Sequence, residues 1–289
     1  MRRRDFIKWT SVAVGALGLP SFARELAAEP EKKYASDVVT LGKTGIKTSR
    51  LAMGTGTFGY NHQSVQSRMD HGSGLPELLR AAFDHGINFW DSADQYGTHP
   101  DLKETLKYVP RDKVVILTKT EATTADEMKS DLDRFRKEIG TDYIDILLLH
   151  LMTDANWPEE KQGAMEVLEK ARQDKIVRAH GVSCHTLEAL QAASKSDWVQ
   201  VDLARINPAQ IHMDADVPTV KGILKRMHDD GKGIVGMKIF GAGQLVDRRD
   251  ESLRFVLGLD YVDAFTIGQE GEEQMLDLLK RIPAASVAG

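Results

Sequence analysis

Four residues whose side chains can exchange protons or carry charge lie at or just beyond the ends of three short apolar runs. Asp91 and Tyr96 follow the first run, Lys119 closes the second and His150 closes the third. Parallel strands of a barrel bring their carboxyl ends to one face, so these side chains are expected to converge there. An ammonium beside a phenol favours the phenolate and brings the pKa of the phenol nearer to neutrality. The spacing therefore predicts proton-transfer chemistry at one end of a barrel.

The elements that must position these residues alternate between apolar runs and amphipathic stretches. One helical stretch has a capping box from Thr124 to Glu127 and ends at Gly140. The candidate strands begin near Arg50, Asn88, Val114, Ile144, Val177, Val199, Gly233 and Ala264. Eight strand–helix units at about thirty-residue spacing predict an α/β fold, a closed (β/α)8 TIM barrel rather than an open sheet. A short N-terminal β-hairpin, with its turn at residues 43–45, is predicted ahead of the barrel.

The composition is that of a soluble globular protein with an acidic body. The chain has 289 residues, enough for one large barrel, and it is 42% hydrophobic and 28% charged. The formal net charge is -5, and the first 28 residues contribute +3, so the remainder carries -8. An acidic body argues against nucleic acid or an anionic membrane surface as a partner. Cys184 is the single cysteine, which excludes an internal disulfide.

The amino terminus has the three-part pattern of an export signal. A basic stretch, residues 2–8, precedes an apolar run, residues 9–19, which is followed by Pro20. This run is too short to span a bilayer, where about 20 residues are needed. The pattern favours a signal peptide over residues 1–28. A basic amphipathic start or an uncleaved anchor is the alternative.

The adjacent arginines make the signal more specific. Arg3 and Arg4, followed by Phe6 and Lys8, resemble the twin-arginine type of signal. The resemblance implies the twin-arginine export machinery as a partner, a periplasmic location and no stable membrane insertion after cleavage. The charged stretch 29–36 is predicted to be a linker, and the barrel is expected to occupy the chain from residue 37 to residue 289.

Several segments together resemble the aldo-keto reductase family, from about Val38 to the end of the chain. They are Thr40–Gly45, Gly54–Gly59, Gly86–Ala93 with Tyr96-Gly97, Thr118-Lys119 and Tyr143–His150. The resemblance implies that Tyr96 gives a proton to a carbonyl oxygen while a nicotinamide gives hydride to the carbon. It implies that Lys119 lowers the pKa of that phenol and that Asp91 holds Lys119. His150 would hydrogen-bond the oxygen of a carbonyl or alcohol substrate, or share the proton of Tyr96.

The same resemblance implies contacts with NAD(P)H. The residues expected to contact the cofactor are Gly54, Thr55, Ser183, Asn207, Lys238, Gly241 and Gly268. Two positions depart from the family pattern, because Cys184 replaces an asparagine and Met237 replaces an aromatic ring. Residues 269–274 carry three glutamates and no basic residue, which favours NADH because carboxylates repel a 2'-phosphate. A lysine or arginine at Gln269 or Gln274 is expected to raise the affinity for NADPH.

The substrate and two other functions stay open at this point. Phe58, Tyr60, Trp90 and Trp157 would line a substrate pocket or else pack the loops. A nicotinamide-binding regulatory or sensor barrel with little turnover is one alternative, although the complete set of four residues argues against lost catalysis. A metal-dependent hydrolase is another. That class needs clustered ligands, whereas the first barrel strand ends in Met53-Gly54-Thr55 and no ligand spacing is found.

Overall fold

A closed barrel of eight parallel strands forms the body of the protein in the computed structural model, which describes residues 32–69 and 74–287. The strands of this part of the chain are β1 Val38–Thr40, β2 Lys47–Ser49, β3 Leu51–Gly54, β4 Phe89–Asp91, β5 Val115–Thr120, β6 Ile144–Met152, β7 Val177–Cys184, β8 Val201–Arg205, β9 Gly233–Met237 and β10 Ala264–Gly268. Strands β3 to β10 follow one another around the barrel in chain order, and β10 pairs with β3 to close it. The predicted TIM barrel is confirmed, and its strands begin within two residues of the predicted positions.

Helices cover the outside of the barrel. They are α1 Leu75–Asp84, α2 His99–Thr105, α3 Ala125–Ile139, α4 Trp157–Glu160, α5 Gln162–Gln173, α6 Leu187–Lys195, α7 Val217–Asp229, α8 Arg249–Leu257 and α9 Glu272–Val287. The predicted capping box is present at α3, where Thr124 accepts from the backbone N–H of Glu127 and Glu127 bonds back to Thr124. Gly140 ends this helix in the left-handed conformation, at φ 74°. No described helix combines the length and the apolar character needed to cross a membrane.

Side chains alternate between the barrel interior and the helix layer, as strand geometry requires. The interior is filled by Ala52, Phe89, Val115, Leu117, Ile146, Leu148, Ala179, Val201, Leu203, Val235, Met237 and Ala264. Strands β1 and β2 form the predicted antiparallel hairpin, and its Leu41 and Ile46 join this interior cluster. Leu41 lies against Gly233, the first residue of β9, so the hairpin packs at the amino-terminal end of the barrel. The opposite, carboxyl-terminal end is left for the side chains predicted to do chemistry.

The predicted signal, residues 1–28, lies outside the described residues. The described part of the predicted linker is in contact with the barrel. The backbone N–H of Lys33 donates to Ser286 Oγ at 3.0 Å, and its ammonium donates to the carbonyl of Leu257 at 2.6 Å. Ala35 is buried. Packing against the barrel therefore begins inside the segment that was predicted to be a linker.

Asp202 is a buried carboxyl group that sequence reasoning did not single out. It lies on β8 between Val201 and Leu203, which face the interior, so its side chain faces the helix layer. The residue is fully buried, and neither carboxylate oxygen has a hydrogen-bond partner among the described residues. Burial, and then the charge of Asp214, raises its pKa well above the ordinary value, against the opposing charge of Lys232. The folded barrel therefore keeps Asp202 protonated to a higher pH than an exposed aspartate would be.

Candidate active site

Lys119, Asp91 and Tyr96 form a connected set at the carboxyl-terminal mouth of the barrel. The Lys119 ammonium donates to Asp91 Oδ1 at 2.5 Å and to the carbonyl oxygen of Ser92 at 2.6 Å. It lies 3.4 Å from the hydroxyl oxygen of Tyr96. Lys119 is fully buried, and Asp91 is nearly so. Because β4 and β5 are paired neighbours, the two strand ends bring these residues together as the sequence predicted.

The ring of Tyr96 is packed against the loop that follows β3. A Cβ atom added at Gly56 would lie 2.2 Å from a ring carbon, and one added at Gly59 would lie 2.3 Å from another. Neither position therefore admits a side chain while the ring is in place. On the inner side, the Lys119 ammonium lies 4.6 Å from the ring centroid, which is a cation–π contact.

An arginine on α3 fixes the turn that carries Tyr96. The turn is a short 3-10 helix, Asp94–Tyr96. Arg134 Nη1 donates to one Asp94 oxygen at 2.6 Å and Nη2 donates to the other at 2.9 Å. Arg134 also bonds to Asp131 and Glu138, its neighbours on the helix. A bidentate pair of this kind restricts the orientation of the turn as well as its position. Nothing in the sequence around Arg134 distinguishes it from other surface arginines, so it was not predicted.

His150 faces Tyr96 edge to face, with ring centroids 5.8 Å apart and an interplanar angle of 83°. The side chain is largely buried, and Nδ1 has no hydrogen-bond partner among the described residues. Burial, followed by the charges of Lys119, His185 and Lys238, holds the pKa of His150 well below its ordinary value. The imidazole is therefore neutral at physiological pH, and it keeps hydrogen-bonding capacity for a ligand.

The pKa of Tyr96 corrects one expectation from the sequence. Lys119 does lower the pKa of the phenol, through its charge and its hydrogen bond. Burial raises it by more, and the charge of Asp91 adds to that, so the pKa of Tyr96 lies above its ordinary value. Burial also disfavours the Lys119 ammonium, but Asp91 and Tyr96 outweigh that cost and raise the pKa of Lys119. The set therefore consists of a protonated phenol beside a cation that is balanced by a carboxylate.

Two of the glycines expected at the cofactor lie where the backbone must come close to a neighbour. Gly54 and Gly268 are paired across β3 and β10. A Cβ at Gly54 would lie 2.9 Å from the Gly268 nitrogen, and a Cβ at Gly268 would lie 2.3 Å from Thr57 Oγ1. The next predicted residue, Thr55, is buried, and its hydroxyl bonds to the carbonyl of Asp91 and to Thr98. The Thr55 hydroxyl is thus engaged within the protein, which does not support its predicted contact with a ribose.

Ser183 and Asn207 differ in whether their side chains keep a hydrogen-bonding group free for a ligand. Ser183 faces the interior at the end of β7, where its hydroxyl oxygen accepts from the N–H of Leu151 and keeps its own proton to donate. The amide of Asn207 is fully used, because its oxygen accepts two backbone N–H groups and its nitrogen donates to two carbonyls. Asn207 is buried, so its geometry supports a role in holding the loop and not the predicted direct contact with the cofactor. Cys184 is buried in the helix layer, and burial raises the pKa of its thiol.

The loop after β9 presents Lys238 and a glycine-rich turn at the mouth. Lys238 has a left-handed backbone, at φ 58°, and its carbonyl accepts from Asn207 Nδ2 at 3.3 Å and from the N–H of Gly241 at 2.8 Å. Gly241 and Gly243 also have positive φ, at 55° and 96°. The N–H groups of Gly241 and Gly243 donate to the carbonyls of Lys238 and Phe240, so they hold the turn together and are not free for a ligand.

The four aromatic residues considered for the substrate pocket divide into two pairs. Phe58 and Tyr60 are 76% and 80% exposed beside the ring of Tyr96, so they remain available to a substrate. Trp90 and Trp157 are fully buried in the helix-layer core. The suggestion that these two line a pocket is therefore wrong. Trp90 faces outward because it alternates with the inward-facing Phe89 and Asp91, and Trp157 begins a short helix, α4, that was not predicted.

Arg205 and Asp214 form a second ion pair at the mouth, which sequence reasoning missed. Arg205 ends β8 and is in register with Met237. Its Nε and Nη2 both bond to Asp214 Oδ1, while Asp214 Oδ2 has no described partner. Burial raises the pKa of Asp214 to about 6, against the charge of Arg205. The position of Arg205 at a strand end was the available signal, as it was for Lys119.

One group of residues has the spacing of metal ligands, but an arginine already forms ion pairs with its carboxylates. Asp94, His99 and Glu138 bring their ligand atoms within 4.8 Å of one another. Both ring nitrogens of His99 are bonded, to Glu138 at 2.8 Å and to Thr118 at 2.7 Å. Arg134 supplies the positive charge to the carboxylates of Asp94 and Glu138. The group is therefore an ion-pair network that supports the turn of Tyr96.

The fold and this mouth define a class: (β/α)8 barrels that hold a Tyr–Lys–Asp set and a neutral histidine at the carboxyl ends of neighbouring strands. The model of the Aldo/keto reductase family matches residues 50–267. The chain belongs to this family.

Individual relatives are distant. The chain is 25% identical over 228 residues to the aldo-keto reductase AFTS1 of Alternaria alternata, a match that covers 64% of this chain and 61% of the relative. It is also 25% identical to a D-threo-aldose 1-dehydrogenase of a Pseudomonas species, over 58% of this chain and 60% of the relative. These matches thus span about three fifths of each curated relative. An aldo-keto reductase structure from Bacillus halodurans superposes with a TM-score of 0.69 at 15% identity, covering 87% of this chain and 91% of the other, which supports the fold alone.

Proposed function

We propose that this protein is an NAD(P)H-dependent oxidoreductase that interconverts a carbonyl compound and an alcohol, with Tyr96 as the general acid and base. One observation carries the proposal: the hydroxyl of Tyr96 lies 3.4 Å from a buried ammonium and beside a neutral histidine at the mouth of the barrel. A protonated phenol next to a cation is suited to donate a proton to an oxygen that gains negative charge.

The residues at the mouth fit a dinucleotide. Gly54 and Gly268 lie at strand ends where no side chain fits, and Lys238 places a cation at the mouth beside the turn of Gly241 and Gly243. The side-chain oxygen of Gln269, the residue after Gly268, is buried without a described partner. When bound, the nicotinamide would supply and accept the hydride.

The contributions of the chain itself follow from the geometry. His150 and Tyr96 would hold the substrate oxygen, and Tyr96 would release its proton to that oxygen as reduction proceeds. Lys119 would stabilise the phenolate that results, while Asp91 keeps Lys119 charged and oriented. In the direction of oxidation, the same phenolate would recover the proton of the alcohol.

A turnover assay tests this function. Purified protein is mixed with NADH or NADPH and a panel of aldehydes and ketones, and loss of the reduced nicotinamide is followed by its absorbance. We expect turnover with at least one class of carbonyl compound. The reverse reaction is tested with sugars and NAD(P)+. Cofactor binding without turnover in either direction would favour the alternative of a sensor barrel.

We propose that the cofactor is preferentially NADH, and the loop after β10 offers a direct test. Gln269 is buried, and its carbonyl accepts from Gln66, so a basic residue at that position would disturb the loop. Gln274 is exposed, so it is the position to change. We expect Gln274→Arg to strengthen NADPH binding by about tenfold, because one charge-assisted hydrogen bond to the 2'-phosphate becomes available.

Fluorescence titration of both cofactors measures this change. Gln274→Met is the matched control, because it also loses the bond from the N–H of Glu270 to Gln274 but adds no charge. Tight binding of NADPH and negligible binding of NADH by the wild-type protein would contradict the preference for NADH.

We also propose that residues 1–28 direct the folded protein to the periplasm through the twin-arginine route, with its dinucleotide already bound. Replacing Arg3 and Arg4 by lysine is expected to retain the protein in the cytoplasm, as judged by cell fractionation. Arg2→Lys is the matched control, because it has the same chemistry but leaves Arg3 and Arg4 intact. Unchanged localisation of the double variant would contradict the signal. Exported protein that is folded but yields no nucleotide on extraction would contradict the carried cofactor.

A further inference from the structure

One face of α3 holds the chain on both sides of Tyr96. Arg134, in the middle of this helix, bonds with both of its terminal nitrogens to Asp94, two residues before the tyrosine. Glu138, one turn further along the helix, bonds to His99 Nδ1 at 2.8 Å, three residues after the tyrosine. Arg134 and Glu138 are themselves joined, since Nη1 donates to Oε1 at 3.2 Å. The segment with the proton donor therefore lies between two anchors that belong to one helix.

The second anchor extends to the strand of Lys119. The hydrogen bond to His99 and the charge of Arg134 lower the pKa of Glu138 by more than its burial raises it. An ionised carboxylate can only accept a hydrogen bond, so Nδ1 of His99 donates to Glu138. The other ring nitrogen of His99 bonds to the hydroxyl of Thr118 at 2.7 Å, and Thr118 precedes Lys119 on β5. The network thus joins the segment of the phenol to the strand of the ammonium.

The turn of Tyr96 has side-chain bonds to two neighbouring loops as well. Gln95 accepts from the N–H of Asn61 at 2.9 Å and donates to Glu121 at 3.1 Å. Both of these bonds are exposed, where water competes for the same groups and the net contribution is small. The side chain of Asp94 is only 14% exposed, so its two bonds to α3 are the stronger restraint on the turn.

The position of the phenol matters because its contact with the ammonium is already long. The hydroxyl of Tyr96 lies 3.4 Å from the Lys119 nitrogen, beyond the usual range for a hydrogen bond of this kind. Any further displacement would break the contact. A misplacement of about 1 Å in an active site can lower the rate by about 100-fold, even when the change that causes it is remote from the chemistry. A helix outside the barrel can therefore govern the rate at its mouth.

We propose that Arg134 is a positioning residue, which holds Tyr96 where its phenol can deliver a proton. It acts through Asp94 on one side of the tyrosine and through Glu138 and His99 on the other. This inference rests on the proposed oxidoreductase function, because it assigns the restraint of the turn a role in that reaction.

Arg134→Met tests the proposal through the division between kcat and KM. The variant has a side chain that cannot bond to either carboxylate, so kcat for reduction of an aldehyde should fall by about 10- to 100-fold. KM and the affinity for NADH should stay near the wild-type values, because Arg134 acts on the proton donor and not on the binding of either ligand. A wild-type kcat in Arg134→Met would overturn the proposal.

Arg172→Met on α5 is the matched control. Arg172 also forms a two-bond ion pair, with Glu169 at 3.0 and 2.7 Å, and its side chain is 35% exposed against 38% for Arg134. It lies near the end of α5, just before β7 begins, at the amino-terminal end of the barrel. Its kcat should be that of the wild-type protein. A general loss of stability would instead lower the rates of both variants together, which would contradict a specific role for Arg134.

Two further variants test whether Arg134 acts through its partner. Arg134→Lys keeps the charge but not the planar fork, so it should restore part of the lost kcat. Asp94→Asn should slow the reaction by itself. Combined with Arg134→Met, it should cause no further loss, because the contact between the two residues is already gone. Losses that multiply in the double variant would show independent effects and would overturn the proposal.

Hydrogen–deuterium exchange reports the restraint of the turn without turnover. Peptides that cover residues 94–99 should exchange faster in Arg134→Met than in the wild-type protein and in Arg172→Met. Faster exchange in a protein that reduces no carbonyl would retain the restraint and reject the oxidoreductase function. Unchanged exchange of these peptides would overturn the proposal whatever the rate, while turnover by the wild-type protein separately decides the function.

Discussion

Tyr96→Phe should remove most turnover while the barrel and its cofactor affinity stay intact. The substitution deletes one oxygen from a ring that packs against Gly56 and Gly59, so the volume in contact with the loop is unchanged. The lost hydroxyl is the group beside Lys119 that can supply the proton. Loss of a positioned general acid lowers the rate by about 10²- to 10⁴-fold.

The measurement is kcat for reduction of an aldehyde, with NADH affinity determined separately by fluorescence. Tyr108→Phe is the matched control, because Tyr108 is 64% exposed and lies between α2 and β5, away from the carboxyl ends of the strands. Its rate should be that of the wild-type protein. A Tyr96→Phe variant with a near-normal rate would show that the proton comes from another group.

The pH dependence of the wild-type reaction provides a second readout of the same assignment. Because the pKa of Tyr96 is raised, the phenol stays protonated through neutral pH, and because the pKa of His150 is lowered, the imidazole does not titrate there. Reduction should therefore change little between about pH 6 and pH 8, and oxidation of an alcohol should accelerate as the pH rises towards the phenol's pKa.

Lys119→Met should lose both activity and stability. The substitution removes the cation that lowers the pKa of Tyr96 and leaves Asp91 as an unpaired carboxylate in a buried place. Breaking a buried pair by removing one partner destabilises a protein by about 3–5 kcal/mol. We expect the free energy of unfolding in urea to fall by that order. We expect kcat to fall as in Tyr96→Phe, because the phenolate that forms has lost its counter-charge.

A double variant separates the two effects. Lys119→Met with Asp91→Asn removes the unpaired charge, so it should recover part of the lost stability and none of the lost rate. Lys107→Met is the surface control, because Lys107 is exposed and pairs with Glu104 at 2.5 Å. It should leave both quantities unchanged. Recovery of the rate in the double variant would contradict a role for the ammonium beside Tyr96.

The fold and the four central residues were predictable because both depend on local patterns. Each apolar run with a polar residue at its end gives the position of a strand and the side chain that it delivers to the mouth. The shared end of parallel strands then brings Asp91, Lys119 and His150 together without any knowledge of distances. The hairpin and the capping box at Thr124 are similarly local.

What the sequence did not reveal depends on contacts between distant segments. Arg134 matters because α3 packs beside the turn of Asp94, and no spacing along the chain links residues 94 and 134. Trp90 and Trp157 were placed near the mouth because they lie beside loops. Side chains alternate along β4, which turns Trp90 into the core, and the short helix α4 buries Trp157. The raised pKa of Tyr96 depends on how completely its ring is buried, which a sequence does not give.

Asp202 makes the folding of this barrel a proton-binding reaction. An unfolded aspartate ionises near pH 4, whereas the folded chain keeps this one protonated beyond that point. The free energy that Asp202 contributes is therefore fully present below about pH 4 and is lost progressively as the pH rises towards the folded-state pKa. Asp202→Asn, which cannot ionise, should stabilise the barrel at pH 8 more than at pH 5 in urea unfolding, and Asp112→Asn on the surface should show no such difference. An ordinary stability measurement on this protein thus also reports the acidity of its surroundings, because the contribution of Asp202 is larger in a mildly acidic compartment than in an alkaline one.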